Sequence, residues 1–146
     1  MIRFASKFDV PACTEMMRRY ASESPIDALR DSKVQNDDYV KALIESLIIG
    51  RGFVLLDDQM RGMLAAIITP NFWCPQVAEI KEVAWWVHPE YRQGTIGGRL
   101  FFEFVKHSEE LIRQKRADIV CASLMHTSSV QSLPGFKKIE TTFVKE

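Results

Sequence analysis

The spacing of apolar and polar positions changes several times along the 146 residues, and each change marks an element. Ile2 to Ala5 is short and suits an edge strand. Asp9 followed by Pro11 suits a helix cap with proline in the first turn, and Met16, Met17 and Tyr20 carry that helix to about Ser22. Residues 22–37 are polar, include Pro25, and predict a loop with room for one helical turn. Asn36 or Asp37 can cap a second helix. In it Val40, Leu43, Ile44, Leu47 and Ile48 share one face, and Gly50 and Gly52 end it. A strand at 53–56, an Asp57-Asp58-Gln59 turn and a strand at 60–69 form a hairpin signal. Residues 70–75 make a loop holding Phe72 and Trp73, and a further strand covers 77–87. From 96 to 115, Ile96, Leu100, Phe101, Phe104, Leu111 and Ile112 stripe one side of a helix, with Glu109 and Arg113 paired on its wet side. Residues 118–124 alternate weakly, as a buried strand does. A loop or short helix at 125–134 leads through Gly135-Phe136 into a last strand towards Glu146.

The predicted order is β-α-α-β-β-β-α-β-(α)-β: a mixed α+β chain of the α/β kind, with helices on a mostly antiparallel mixed sheet. At this length residues 1–146 form a single domain with a real core. Lys+Arg and Asp+Glu are both 19, so no net field draws nucleic acid or an anionic membrane. Cys13, Cys74 and Cys121 are odd in number and widely spaced, which reads as reduced thiols, mostly buried, in a cytoplasmic protein. His88, His107 and His126 show no ligand spacing with them, so no metal is expected. No apolar run reaches the roughly 20 residues of a membrane helix.

The stretch 87–100 carries the candidate chemistry. A strand ends at Val87, Pro89 and Gly94 break the pattern, and a helix starts near Ile96. The first amides of a helix lack partners within it, and its dipole leaves partial positive charge there. Gly94, Gly97 and Gly98 open the backbone to an anion, and Arg92 and Arg99 add positive charge. The stretch reads as a diphosphate cradle, with a plain tight turn as the alternative. It is not a Walker motif, since no Gly-Lys-Ser/Thr follows, and it is not the dinucleotide GxGxxG.

Val87-His88-Pro89-Glu90-Tyr91-Arg92-Gln93-Gly94-Thr95-Ile96-Gly97-Gly98-Arg99-Leu100 resembles the acetyl-CoA signature of the GNAT superfamily of N-acetyltransferases, Arg/Gln-x-x-Gly-x-Gly/Ala. The element order resembles the GNAT fold over essentially the whole chain. Glu82 to Val87 is similar to small members common in bacteriophage and bacterial genomes, and Gly135-Phe136 matches the pair before the family's closing strands. Two positions depart from the pattern. Thr95 stands at the first glycine, where its hydroxyl could cap the helix or bond a phosphate. Gln131 stands where many relatives carry an acidic Tyr. The chain also leaves room for one closing strand where many relatives have two.

The resemblance implies acetyl-CoA as cofactor and an amine on a small molecule or protein as acceptor, and it leaves room for a homodimer. Trp86 and Val87 would bond the pantetheine arm, and the amides of Arg92, Gln93, Gly94, Thr95, Ile96, Gly97 and Gly98 would hold the pyrophosphate. The reaction needs a base to free the amine, and an N–H to polarise the thioester carbonyl, which Val87 could supply. Glu82 is the first choice for the base and Glu79 the alternate, on the opposite face by alternation; a bulge would exchange them. His126 could replace the missing acid, although a surface histidine is the plainer reading. Tyr91 reads as structural and Cys121 as packing. Phe72 and Trp73 suit a cap over the core, an acceptor pocket or a dimer contact. Asp27, Arg30 and Asp31 lie in the loop that covers the acceptor in relatives, or are simply solvated. A GNAT-fold module that binds acetyl-CoA without turnover is the second reading, and a phosphate-binding regulatory domain the third.

Overall fold

A computed structural model describes residues 1–125 and 128–146. The chain runs β1 (Ile2–Phe4), α1 (Val10–Ser22), α2 (Asp27–Arg30), α3 (Asp37–Ser46), β2 (Gly52–Asp57), β3 (Gly62–Pro70), β4 (Ala78–Val87), α4 (Ile96–Arg113) and β5 (Ile119–Cys121). One five-stranded sheet has the order β1-β2-β3-β4-β5, antiparallel except for the parallel β4–β5 pair. The α4 crossover is what lets β4 and β5 run parallel.

Central strands feed two cores, one on each face of the sheet. Val54, Leu56, Met63 and Ala65 pack against Val10, Cys13 and Met16 of α1 and Ile44 of α3. Phe53, Leu55, Leu64 and Ala66 point the other way, against Ile96, Leu100, Phe104 and Leu111 of α4. This two-sided burial explains why β2 reads as an apolar run rather than an alternating one. Trp85 and Trp86 split between the faces as alternation predicts: Trp85 stacks on Phe101 of α4, and Trp86 joins the α1–α3 core.

Several expectations are refined. Asp9 precedes α1 but does not cap it. Its carboxylate takes Arg3, the Ser6 amide and the Ser6 hydroxyl, and these bonds hold it well below the usual carboxylate range. Asn36, rather than Asp37, caps α3, accepting from the Tyr39 amide at 3.0 Å. That helix does not stop at Gly50 but widens into a π-type turn, Leu47–Arg51, in which Gly50 takes φ +132°. Arg113 pairs with Glu110, not Glu109. The closing strand expected from Gly135-Phe136 to Glu146 is not formed. With three residues β5 offers a short edge, and the tail has no buried face, since Lys137, Lys138, Ile139 and Phe143 are all exposed. Glu146 instead accepts from the Asp27 and Ala28 amides of α2 at 3.2 and 2.9 Å.

Candidate functional site

The site begins with a fork between β4 and β5. Glu79, Ile80 and Lys81 pair with Ile119, Val120 and Cys121, and there the pairing stops. On the other side of β4, the His88 N–H donates to the Arg61 carbonyl at 2.8 Å. Bonded and non-bonded pairs alternate along an antiparallel ladder. Trp86 therefore shares its peptide groups with Met63, while those of Trp85 and Val87 turn to the fork, where β5 no longer reaches. The sequence reading paired Trp86 with Val87 in this role; alternation puts the Trp85 peptide there in its place.

Glu82 sits where the strands part. Its carboxylate accepts from the Ser123 amide at 3.0 Å, bridging the fork with a side chain where a ladder bond would otherwise be. The residue is 7% exposed, and burial drives its pKa from 4.5 to about 7 against the opposing pull of the Ser123 bond. Next to it Val83 has no residue opposite, because Ala65 pairs with Ala84 and Ala66 with Glu82. This bulge does not fall between Glu79 and Glu82, so it leaves their relation as alternation gives it. It changes instead how Glu82 relates to Trp85 and Val87. Tyr20 of α1 feels the Glu82 charge; burial first, and that charge second, push its hydroxyl upward.

The turn between β4 and α4 passes through Pro89–Tyr91, with Gly94 N–H on the Tyr91 carbonyl. Thr95 takes the cap position of α4 but its hydroxyl makes no capping bond. Arg99 is the first residue bonded back into the helix, so the amides of Ile96, Gly97 and Gly98 have no partner among the described residues. Ile96 itself is buried and anchors the turn in the α4 core. An added Cβ at Gly98 would meet nothing within 4 Å, and one at Gly97 only ordinary contacts at 3.6 and 3.9 Å. Glycine in a helix costs roughly 1 kcal/mol relative to alanine, and packing requires it at neither position. A group lying against this backbone would. The turn therefore fits a diphosphate. A cleft of about 480 Å³ beside it is lined by Thr95, Gly98, Arg99 and Phe102 and runs towards Met1 and Ile2, away from the fork. It suits the far end of a ligand rather than the reacting centre.

Arg92 is not placed as expected. Its guanidinium turns towards α1, where Nη2 meets Glu23 at 2.7 and 2.5 Å and Nε donates to the Val87 carbonyl at 2.8 Å. The backbone of Arg92 belongs to the turn, but its charge is taken up by Glu23. Glu23 also accepts from the Trp86 indole at 3.1 Å. Sequence reasoning missed Glu23 altogether, and no local pattern links it to residues 63 and 69 positions away.

The remaining candidates scatter. Glu79 lies at the other end of β4 and accepts from Asn71 at 2.6 Å, outside the fork. His126 lies outside the described residues. Gln131 is exposed. Phe72 and Trp73 stack edge-on against each other at 87% and 83% exposure, so they do not cap the core. Asp27 and Arg30 pair with each other on α2. The Cys121 thiol is pushed up by burial, as suits packing rather than attack. Cys74 is exposed, unlike the buried Cys13. Among the described residues no cluster of three His, Cys, Asp or Glu could hold a metal, and no helix is long and apolar enough to cross a membrane.

A mixed sheet with a parallel β4–β5 fork and a glycine-rich turn into α4 is the GNAT acetyltransferase fold. No family model matches the chain, and no curated protein matches it in sequence. Solved structures do match. An acetyltransferase of Trypanosoma brucei is 18% identical with a TM-score of 0.63, over 100% of this chain and 98% of that one. A predicted acetyltransferase of Clostridium acetobutylicum, solved with acetyl-CoA, is 10% identical with a TM-score of 0.63, over 96% and 95%. An integron cassette protein from the Cole Harbour salt-marsh metagenome is 13% identical with a TM-score of 0.66, over 99% and 88%. At such identities the likeness establishes the fold.

Proposed function

We propose that the chain is an acetyl-CoA-dependent N-acetyltransferase acting on a primary amine of a small molecule or a protein. The observation that carries this reading is Glu82, a buried carboxylate poised near neutrality beside peptide groups that no strand takes up. Support comes from the turn at Gly94–Gly98 and from the acetyl-CoA bound by the clostridial neighbour. The amides of Ile96, Gly97 and Gly98 would hold the diphosphate, and the peptides of Trp85 and Val87 the pantetheine arm. The acetyl thioester supplies an electrophilic carbonyl and a thiolate leaving group. Glu82, ionised above about pH 7, takes the proton that the amine must lose. The Val87 N–H donates to the carbonyl oxygen as charge gathers there.

The second reading, a binding module without turnover, is favoured by Gln131, an exposed amide at the position of the usual acid. Release of free thiol from acetyl-CoA over a panel of amines and peptides, with calorimetry of coenzyme A binding, tests both. Turnover with any amine supports the enzyme. Saturable binding without turnover supports the module, and no binding at all refutes the site.

A further inference from the structure

The residue that follows α1 and the end of β4 are joined through one carboxylate. Glu23 accepts from the Trp86 indole at 3.1 Å and from Arg92 Nη2 at 2.7 and 2.5 Å. Arg92 in turn places Nε on the Val87 carbonyl at 2.8 Å, and its guanidinium lies 6.0 Å from the centre of the Trp86 ring. A lysine could satisfy Glu23, but only a guanidinium offers Nε and Nη2 together in a fixed plane. The carbonyl it holds belongs to the residue whose N–H faces the fork.

We propose that Glu23 is a positioning residue for the acyl donor, acting through Arg92 to fix the Val87 peptide. The inference rests on the acetyltransferase reading and adds a residue that it does not need. Val87 is the last residue of β4, and beyond Lys81 that strand has no β5 partner to hold its open edge. Without a neighbouring strand, the outward-facing N–H and C=O of Val87 are free to tilt. Arg92 takes the place of the missing partner on the C=O, and Glu23 keeps Arg92 there. Misalignment of a donor by a fraction of an ångström is enough to lose much of its effect on a reacting carbonyl. As a contribution to stability the pair is minor, since both side chains are about 40% exposed and water screens them. Substitution therefore leaves the fold intact while disturbing the peptide.

The test uses acetyl-CoA labelled with ¹³C at the carbonyl, bound to the whole chain, with the carbonyl stretch read by difference infrared spectroscopy. In the wild-type chain the Val87 N–H lowers the stretch relative to free acetyl-CoA. In Glu23→Ala and in Arg92→Lys the stretch returns towards the free value, and kcat falls about tenfold, the scale of one lost charge-assisted bond. KM for acetyl-CoA stays within about threefold because the diphosphate amides are untouched. The acidic limb of the pH profile, set by Glu82, stays where it is. Wild-type stretch and kcat in both variants would overturn the positioning role. So would a loss of kcat matched by a rise in KM with the stretch unmoved, which would mark Glu23 as a structural tie only. A wild-type chain that binds no acetyl-CoA would overturn the acetyltransferase reading itself, and this inference with it.

Discussion

Replacing Glu82 with glutamine gives a sharp test of the fork, because its buried carboxylate leaves a mark on folding as well as on rate. A rise from 4.5 in an ordinary glutamate to about 7 in the folded chain means that the folded state binds the proton more tightly. The stability tied to that proton is fully present below about pH 4.5 and is lost as pH rises through about 7. At about 1.4 kcal/mol for each tenfold change in proton affinity, the loss across this window comes to about 3 kcal/mol. Glutamine carries no proton to lose, and its side-chain oxygen can still accept from the Ser123 amide. Urea unfolding of the two chains from pH 4 to pH 8.5 measures the difference. The wild-type stability should fall by about 3 kcal/mol more than that of Glu82→Gln, with the difference centred between pH 4.5 and pH 7. The same variant should lose the acidic limb of its rate profile. Parallel stability curves would refute the buried, proton-binding carboxylate, whatever the absolute stability of the variant.

Gly98→Ala should separate the needs of the fold from those of the ligand. With open space at the added Cβ, helix propensity favours alanine by up to about 1 kcal/mol. The urea midpoint should therefore rise or hold, while calorimetry should show acetyl-CoA bound at least about tenfold more weakly, a loss of about 1.4 kcal/mol; undiminished affinity would mean that nothing lies against this turn. Gly52→Ala should do the reverse. Its Cβ would stand 2.0 Å from the Ala66 carbonyl oxygen and 2.9 Å from the Ile67 Cα, both backbone, so β2 and β3 must separate. A cost of at least about 2 kcal/mol is expected from overpacking, and a wild-type urea midpoint would contradict that close approach.

Periodicity was enough to place α1, α3, β2, β3, β4 and α4, because each buries a stripe or a face of its own. The α4 stripe from Ile96 to Leu111 and the split of Trp85 and Trp86 between faces are written locally, in spacings of three, four and one. The cradle was legible for the same reason: a run of glycines at a helix start is a local signal. What escaped depended on partners distant in the chain. Whether Val83 bulges is decided by how β4 meets β3, not by the residues of β4 alone. Arg92 looked like free positive charge until folding brought Glu23 beside it. The tail from Lys137 to Glu146 has a strand's composition without a strand's partner, and propensity cannot supply an edge.

The unopposed Val83 makes β4 a strand in two frames. Before it, the even-numbered Ile80 faces the α4 core; after it, the odd-numbered Trp85 and Val87 do, and Ala84 and Trp86 cross to the other side. Deleting this one residue would set Ala84 next to Glu82, opposite Ala65 and Ala66, so that plain alternation would keep Ile80 and Trp86 in their present cores and only the bulge would be lost. The extra residue is therefore not what sorts the side chains between the two cores. What it adds is a local kink and extra twist in β4 just where the pairing with β5 ends, while the pairing with β3 continues to Val87.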